Sequence, residues 1–334
     1  MSRHRPILTC MLASLALTLV ALAPAVVSAP PARASGRIQL SDDRAVSRAA
    51  GCEDSRTTSC ESIHSLVEVR IGSGVIGVAL EEGTLTWRTA TNSNTYTAEI
   101  DVVTTRMSPT AAGMFDQITA TCGSPCSSSG IVSGPVILGY HIKGAIHFTN
   151  TTRTVDTSRA LFIFTGEMAG ATPWAFAVRA NTPIRCDDLF NGRRAGCVVP
   201  DFIPTITTMN QLRFISQSIR SLQGKGAPKV LHRNSYLDDI NRRALCGRAK
   251  LPAEWRPPKG WPLPLSNEEN KPSCDEYPFA TTAEGGNGPR NGYAWVPQRE
   301  NDSQGALLKN FYFDNRVLNA TSILQSGDAF RVTV

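Results

Sequence analysis

The hydrophobic positions change period near the middle of the chain. Up to about residue 200 they alternate with polar ones in short runs, as in Ser65-Leu66-Val67-Glu68-Val69-Arg70-Ile71, Gly83 to Arg88 and Tyr96 to Val102. Gly134 to Lys143, Ala145 to Thr149, Ala160 to Thr165 and Trp174 to Arg179 continue the pattern, separated by Gly, Ser, Asn and Pro. Alternation in β-branched runs predicts strands with one buried face, here an antiparallel sandwich. His141 and His147 fall on one face of such strands and read as sheet histidines. Asp187, Asp188 and Asp201 read as solvated loop acids.

Beyond residue 204 the spacing lengthens. Leu212, Ile215, Ile219 and Leu222 predict one helix face, capped by Thr208 or Asn210 and ended by Gly224. A second helix is expected over 235–245 on Leu237, Ile240, Ala244 and Leu245. A proline-rich arm over 251–272 follows. Then come a strand at Tyr293 to Val296, a helix from about Ser303 to Tyr312 capped by Asn301 or Asp302, and a last strand at 329–334. The fold class is therefore α+β, with a β-rich, sandwich-like domain over 36–204 and a smaller mixed domain over 205–334.

The N-terminus is of another kind. Arg3, His4 and Arg5 precede an apolar run from Ile7 to Val27, and Val27-Ser28-Ala29 and Ala32-Arg33-Ala34 are small-residue cleavage patterns. Residues 1–34 read as a secretory signal peptide, which makes the protein secreted and extracellular. Eight cysteines remain beyond it, an even number that reads as disulfides in an exported chain. Neighbour pairing gives Cys52–Cys60, Cys122–Cys126, Cys186–Cys197 and Cys246–Cys274 as the simplest of the possible connectivities. The last would close the proline-rich arm and add roughly 3–4 kcal/mol on the loop-entropy account. Charge is uneven: the first domain has 14 Lys+Arg against 16 Asp+Glu, the second 17 against 12. That excess suits a polyanion without identifying one.

The candidate chemistry lies in the last sixty residues. Cleaving a phosphodiester needs an activated water, charge neutralisation at phosphorus and help for the leaving oxygen. A hard divalent cation, Mg²⁺ or Mn²⁺, prefers oxygen ligands. Asp275, Glu276, Glu284, Asn301, Asp302 and Asn310 offer them, and His232 is the one histidine of this half. By composition and spacing alone the same residues also read as a polar turn at a disulfide, a loop, a helix cap and a solvated helix position.

Cys274-Asp275-Glu276-Tyr277-Pro278-Phe279-Ala280, followed by Glu284-Gly285-Gly286, resembles the signature of the NucA/NucB deoxyribonuclease family. The resemblance continues through Asn301-x-x-x-Gly305, Asn310-Phe311-Tyr312 and Gly327-Asp328-x-Phe330-x-Val332, and upstream through Leu231-His232-Arg233 and Asn241-Arg242 to Cys246. It covers roughly residues 205–334. It implies a compact ββα-metal nuclease that hydrolyses DNA with one divalent cation, its base on the first strand and metal ligands on or near the following helix. On that resemblance the catalytic set is Asp275, as base, with Glu276 and Glu284. Asn301, Asn310 and Glu284 would serve the metal, and Arg290, Arg299 and Arg316 the phosphates. Shorter members of the family carry two acids before Gly-Gly, and Ala283 replaces the first here, so Glu284 stands alone.

The leading expectation is a secreted, metal-dependent endodeoxyribonuclease with DNA as substrate. Little sequence preference is expected, since no helix rich in Arg, Asn and Gln is evident. Two readings of other classes fit the same chain: an inactive secreted protein whose β-rich domain binds cell wall or glycan, and a nuclease toxin delivered by its N-terminal half.

Overall fold

The computed structural model describes residues 32–41, 52–71 and 73–334. The first domain is made of β1 (Ala32–Ser41), β2 (Thr58–Ile71), β3 (Gly74–Arg88), β4 (Thr95–Met107), β5 (Phe115–Thr121), β6 (Cys126–Ser129) and β7 (Val132–Pro135). It continues with β8 (His141–Asn150), β9 (Val155–Ser158), β10 (Leu161–Glu167), β11 (Ala171–Thr172), β12 (Trp174–Arg179), β13 (Ile184–Asp187) and β14 (Gly196–Val198).

Seven of these strands form one sheet in the order β11-β1-β2-β3-β4-β8-β6, antiparallel except where β11 joins β1. Four form an antiparallel sheet, β12-β10-β5-β7. Alternation decides which side chains meet between them. Trp87, Tyr96, Ile100 and Phe148 of the large sheet share one core with Ile118, Phe162 and Phe164 of the small one, the face-to-face arrangement of a sandwich. Trp87 is fully buried against the rings of Tyr96, Phe148 and Phe162, and its indole N–H donates to Glu61 Oε1 at 3.0 Å. The strand expected over 134–143 is two strands. Gly139, at φ 75°, lies in the turn that separates β7 from β8. His141 and His147 both point outward, beside Asp101 Oδ1 (2.6 Å) and Thr97 Oγ1 (3.3 Å).

The leader assigned to 1–34 lies outside the described residues except for its last three. Those three are strand, with Arg33 opposite Arg70 and Ala34 opposite Val69. Cleavage after Ala29 would leave β1 whole, and cleavage after Ala34 would remove its start.

The second domain contains β15 (Thr205–Ile206), α1 (Arg213–Gly224), β16 (Val230–His232), α2 (Asp238–Leu245), β17 (Pro272–Tyr277), β18 (Gly292–Pro297), α3 (Gln298–Asp314) and β19 (Ala329–Val332). β19 lies between β15 and β16 in a small sheet, and β17 and β18 form a separate antiparallel hairpin that runs directly into α3. Ile215, Ile219, Leu231, Tyr277, Val296, Leu308, Tyr312 and Phe330 pack as its core.

The helix boundaries differ from expectation in instructive ways. α3 starts five residues before Ser303, so Asn301 is not its cap but sits in its first turns. α1 is capped neither by Thr208 nor by Asn210. The Glu300 carboxylate of α3 accepts the Phe214 and Ile215 N–H groups at 2.8 and 3.2 Å, a negative charge at a helix N-terminus. α2 starts at Asp238 and turns the polar Asn241 inward, while Ile240 is exposed.

Four disulfides staple the chain: Cys52–Cys60, Cys122–Cys126, Cys186–Cys197 and Cys246–Cys274. Among the described residues no helix is long and apolar enough to cross a membrane.

The two domains are joined by crossed buried ion pairs. Arg316 of the second domain is 1% exposed and reaches into the first. Its Nε donates to Asp187 Oδ2 at 2.9 Å, its Nη2 to Asp187 Oδ1 and O, and its Nη1 to the carbonyls of Thr91 and Arg194 at 2.8 and 3.0 Å. In the opposite direction Arg185 Nη1 donates to Asp328 Oδ2 at 2.6 Å, and Arg56 Nη2 to the same oxygen at 2.7 Å. Arg56 also donates to Asn315 O, and Arg185 to Arg316 O. Asp187 is therefore wholly buried rather than solvated.

Removing one member of such a pair strands the other charge, at about 3–5 kcal/mol. Asp187→Ala should lower the melting temperature and split unfolding into two calorimetric transitions, while the parent protein shows one. A variant that unfolds like its parent would refute the coupling.

Candidate functional site

The site starts from the β17–β18 hairpin. Asp275 lies opposite Ala294, and Glu276 opposite Tyr293. Two neighbours anchor the strand. Before it, Cys274 is tied to Cys246 at the end of α2. After it, Tyr277 is fully buried, its hydroxyl donating to Pro228 O and accepting from Gln223 Nε2, both at 2.7 Å.

Strand alternation sends Asp275 and Glu276 to opposite sides. Glu276 opens on a pocket of about 840 Å³, also lined by Arg242, Cys246, Ser273, Asn301, Asp302 and Gln304, and by Arg233, Lys309, Tyr312 and Phe313. Glu276 Oε1 lies 3.7 Å from Arg242 Nη1. Its Oε2 lies 3.1 Å from Cys246 Sγ, a disulfide sulfur with no proton to give. Burial raises the Glu276 pKa, and Arg242 pulls it back.

Asp275 is 3% exposed, and its Oδ2 has no hydrogen-bond partner. Burial first, then the adjacent Glu276 charge, push its pKa up to about 8; Gln304 and Arg242 oppose, and Glu300 adds to the rise. The Gln304 amide of α3 is the hydrogen-bonding neighbour that opposes the rise, yet neither its buried Nε2 nor Asp275 Oδ2 has a well-formed bond. Gln304 lines the pocket and Asp275 stands behind it.

The predicted site residues do not all converge. Asn301 reaches β17, donating from Nδ2 to Ser273 Oγ at 2.8 Å and to Cys274 O at 3.3 Å. Asn310 is exposed and outside the pocket, because nine residues turn a helix by two and a half revolutions and place it on the far side from Asn301. Glu284 is also elsewhere. Its carboxylate accepts the His232 N–H at 2.8 Å and faces His232 Nδ1 at 2.7 Å. Gly285 and Gly286 allow Asn241 to approach: a Cβ would lie 2.5 Å from Asn241 Nδ2 in the first case and 2.6 Å from Oδ1 in the second. The Glu-Gly-Gly run therefore holds α2 and β16 in place, with Asn241 Nδ2 bonded to the carbonyls of Ala280 and Thr282.

None of the three arginines expected at phosphates lines the pocket. Arg290 and Arg299 are exposed. Arg316 is consumed in the interdomain lock, each of its five N–H groups engaged, and has no donor left for a phosphate. Arg233, Arg242 and Lys309 are the basic residues actually at the pocket. Sequence spacing could not single them out, because three separate elements bring them together.

Residues 211–333 match the family model Deoxyribonuclease NucA/NucB. No curated protein matches the chain. The matched span holds the hairpin, α3 and two strands of the small sheet, β16 and β19, and every pocket residue named above lies within it.

Of the oxygen donors named above, Glu276, Asn301 and Asp302 line the pocket, whereas Asp275 lies on the other side of β17 and does not. Both nearby cysteines are oxidised, which leaves no thiolate for a softer metal. Among the described residues no cluster of three or more His, Cys, Asp or Glu side chains could hold a metal ion. Mg²⁺ commonly uses one or two carboxylates and completes its shell with water and substrate phosphate, so it asks for fewer protein ligands than such a cluster would supply.

The Asp275 shift has a consequence for stability. Below pH 3.8 both folded and unfolded chains carry the proton, and between there and about pH 8 only the unfolded chain releases it. Stability therefore falls as pH rises through that window, by about 1.4 kcal/mol per unit and on the order of 5 kcal/mol across it. Asp275→Asn stays neutral throughout. Denaturant titrations in EDTA should show it gaining on the parent protein from pH 4 to pH 8.5; a constant gap would mean that Asp275 is not buried as a neutral acid.

Proposed function

We propose that the protein is a secreted, metal-dependent endodeoxyribonuclease with little sequence preference, and that the adjacent acids Asp275 and Glu276 are its reaction centre. One observation carries this reading: a buried carboxyl with an unpartnered oxygen adjoins, on β17, a pocket whose walls hold two further carboxyls, Glu276 and Asp302, and three basic side chains. The match to NucA/NucB supports DNA as the substrate, and the four disulfides support an oxidising, extracellular setting.

The chain's own residues divide the work. Asp275 holds a proton up to about pH 8, which makes its conjugate carboxylate a far stronger base than an exposed Asp. Its neighbour Gln304 lines the pocket, and in ionised form Asp275 would take a proton from the attacking water. Glu276 faces the pocket and, with Asn301, would hold a bound Mg²⁺ or Mn²⁺. Such an ion would supply Lewis-acid chemistry, neutralising charge at phosphorus and at the leaving oxygen. Arg242 keeps Glu276 oriented and adds positive charge at the wall. Glu284 fixes His232 and its strand rather than meeting the substrate.

Plasmid degradation by the oxidised, leaderless protein tests this. Mg²⁺ or Mn²⁺ should support cleavage and EDTA should stop it reversibly. Asp275→Ala and Glu276→Gln should each reduce the rate by about 10²–10⁴-fold while the far-UV spectrum is kept. Near-parental cleavage by Asp275→Ala would remove it as the base, and intact plasmid under every metal would reject the nuclease.

A further inference from the structure

The pocket wall includes a cation with no carboxylate in contact; Asp328 acts on it only at a distance and is itself paired with Arg56 and Arg185. The Arg233 side chain is half-buried and makes no ion pair among the described residues. Its Nη1 donates to Val317 O at 2.7 Å, while its buried Nε has no partner. Its remaining company is aromatic: Cζ lies 4.5 Å from the centre of the Tyr312 ring and 5.9 Å from that of Phe190. Burial lowers its pKa, the mark of a charge held in a poorly solvated place. Ring faces attract a guanidinium, but they do not neutralise it. Nε is buried, so the Nη edge is the part of the guanidinium the pocket can reach, and such an edge is the geometry that receives a phosphate.

Phe190 is not part of the NucA/NucB domain. It sits in the β13–β14 connection of the first domain, a hairpin pinned by Cys186–Cys197, and is buried. Its ring meets Arg233, packs edge-on to Phe313 at 5.3 Å and lies 5.1 Å from the Arg316 guanidinium. Phe190 thus links the interdomain lock to two residues of the pocket.

We propose that Arg233 forms a subsite for a DNA backbone phosphate, and that the first domain completes it by holding the guanidinium with Phe190. The proposal rests on the nuclease reading for its ligand. It gives the β-rich domain a part in substrate binding that requires no ligand of its own. Phe190 is a positioning residue; Arg233 touches the substrate.

The test uses the full-length oxidised chain. Binding of a fluorescein-labelled DNA duplex is followed by anisotropy in EDTA across a salt series, and KM and kcat are measured on the same duplex with Mg²⁺. Arg233→Gln should weaken binding and raise KM by about 10–100-fold, with kcat changed less than about threefold. The slope of log K against log salt should fall by about one, the signature of one lost phosphate contact. Phe190→Leu, which keeps apolar volume, should raise KM about 2–5-fold, the worth of an exposed-to-partly-buried cation–ring contact. Arg233→Lys keeps the charge without the fork and should bind between the two with the slope preserved. Arg153→Gln, on the exposed face of the first domain, controls for general loss of charge.

If Arg233→Gln and Phe190→Leu behave like Arg153→Gln, the subsite is refuted even when the parent protein cleaves DNA. If the parent protein binds duplex through Arg233 but cleaves none with any metal, the subsite stands and the nuclease reading falls. Competition by inorganic phosphate at concentrations equal to those of DNA phosphate would show a free-anion site and overturn the assignment to the DNA backbone.

Discussion

The architecture turns on a single side chain placed across a domain boundary. Arg316 adopts a left-handed backbone at φ 47°, a conformation uncommon for a residue with a Cβ. From there it spends all five N–H groups on Asp187 and two carbonyls of the first domain. A guanidinium so enclosed is tolerable only while every donor and the charge are matched, because desolvation is far larger than the net gain of the pair. Arg56 and Arg185 repeat the bargain in reverse at Asp328, so each domain supplies what the other buries. Such reciprocity makes the arrangement specific: neither half closes its polar groups alone. It also fixes the end of α3, since Asn315 and Arg316 follow that helix directly.

That fixed end matters for the pocket because α3 supplies one wall along much of its length. Asn301, Gln304, Leu308 and Tyr312 fall on one stripe at helical spacing, with Asn301 beside the hairpin and Tyr312 under Arg233. At the hairpin side the environment raises the proton affinity of two carboxyls; at the other it leaves a cation unpaired. Both carry a desolvation cost. Under the proposed function, positive charge at the acids and a phosphate at the arginine would offset it from the two ends of the same wall.

The sequence made the periodic parts of the fold legible. Alternation located half of the fourteen strands described in the first domain, and Leu212-x-x-Ile215-x-x-x-Ile219 located α1, because both signals arise from which face is buried. Chain-neighbour pairing also matches the four disulfides present. What escaped was everything decided by distant partners. Glu300 caps a helix that begins 86 positions earlier in the hydrogen-bond register, so no local cap could be read there. Asp187 looked like a loop acid because its counter-ion is 129 residues away. Arg316 looked like any surface arginine for the same reason. Asn310 fails by geometry alone: helical phase relative to Asn301 excludes it from the same wall.

The motif itself mixes chemistry with scaffolding, and the structure separates them. In Cys274-Asp275-Glu276-Tyr277 the first and last residues hold the strand, by a disulfide and by two hydroxyl bonds, while the middle two carry the acids. Glu284-Gly285-Gly286 is scaffolding throughout, a carboxylate bracket on His232 and two residues without a Cβ where Asn241 must pass. A residue in a signature can thus be there because a neighbour needs room, and loss of activity on changing it would not make it catalytic. Unmatched buried atoms alone do not mark the reacting groups, since Glu81 and Asp116 of the first domain carry them too. Position does more: Glu276 and Arg233 line the pocket and Asp275 adjoins Glu276 on β17, which is why the proposed chemistry is placed there, whereas Glu284 and Arg316 are taken up by His232 and Asp187 and belong to the frame.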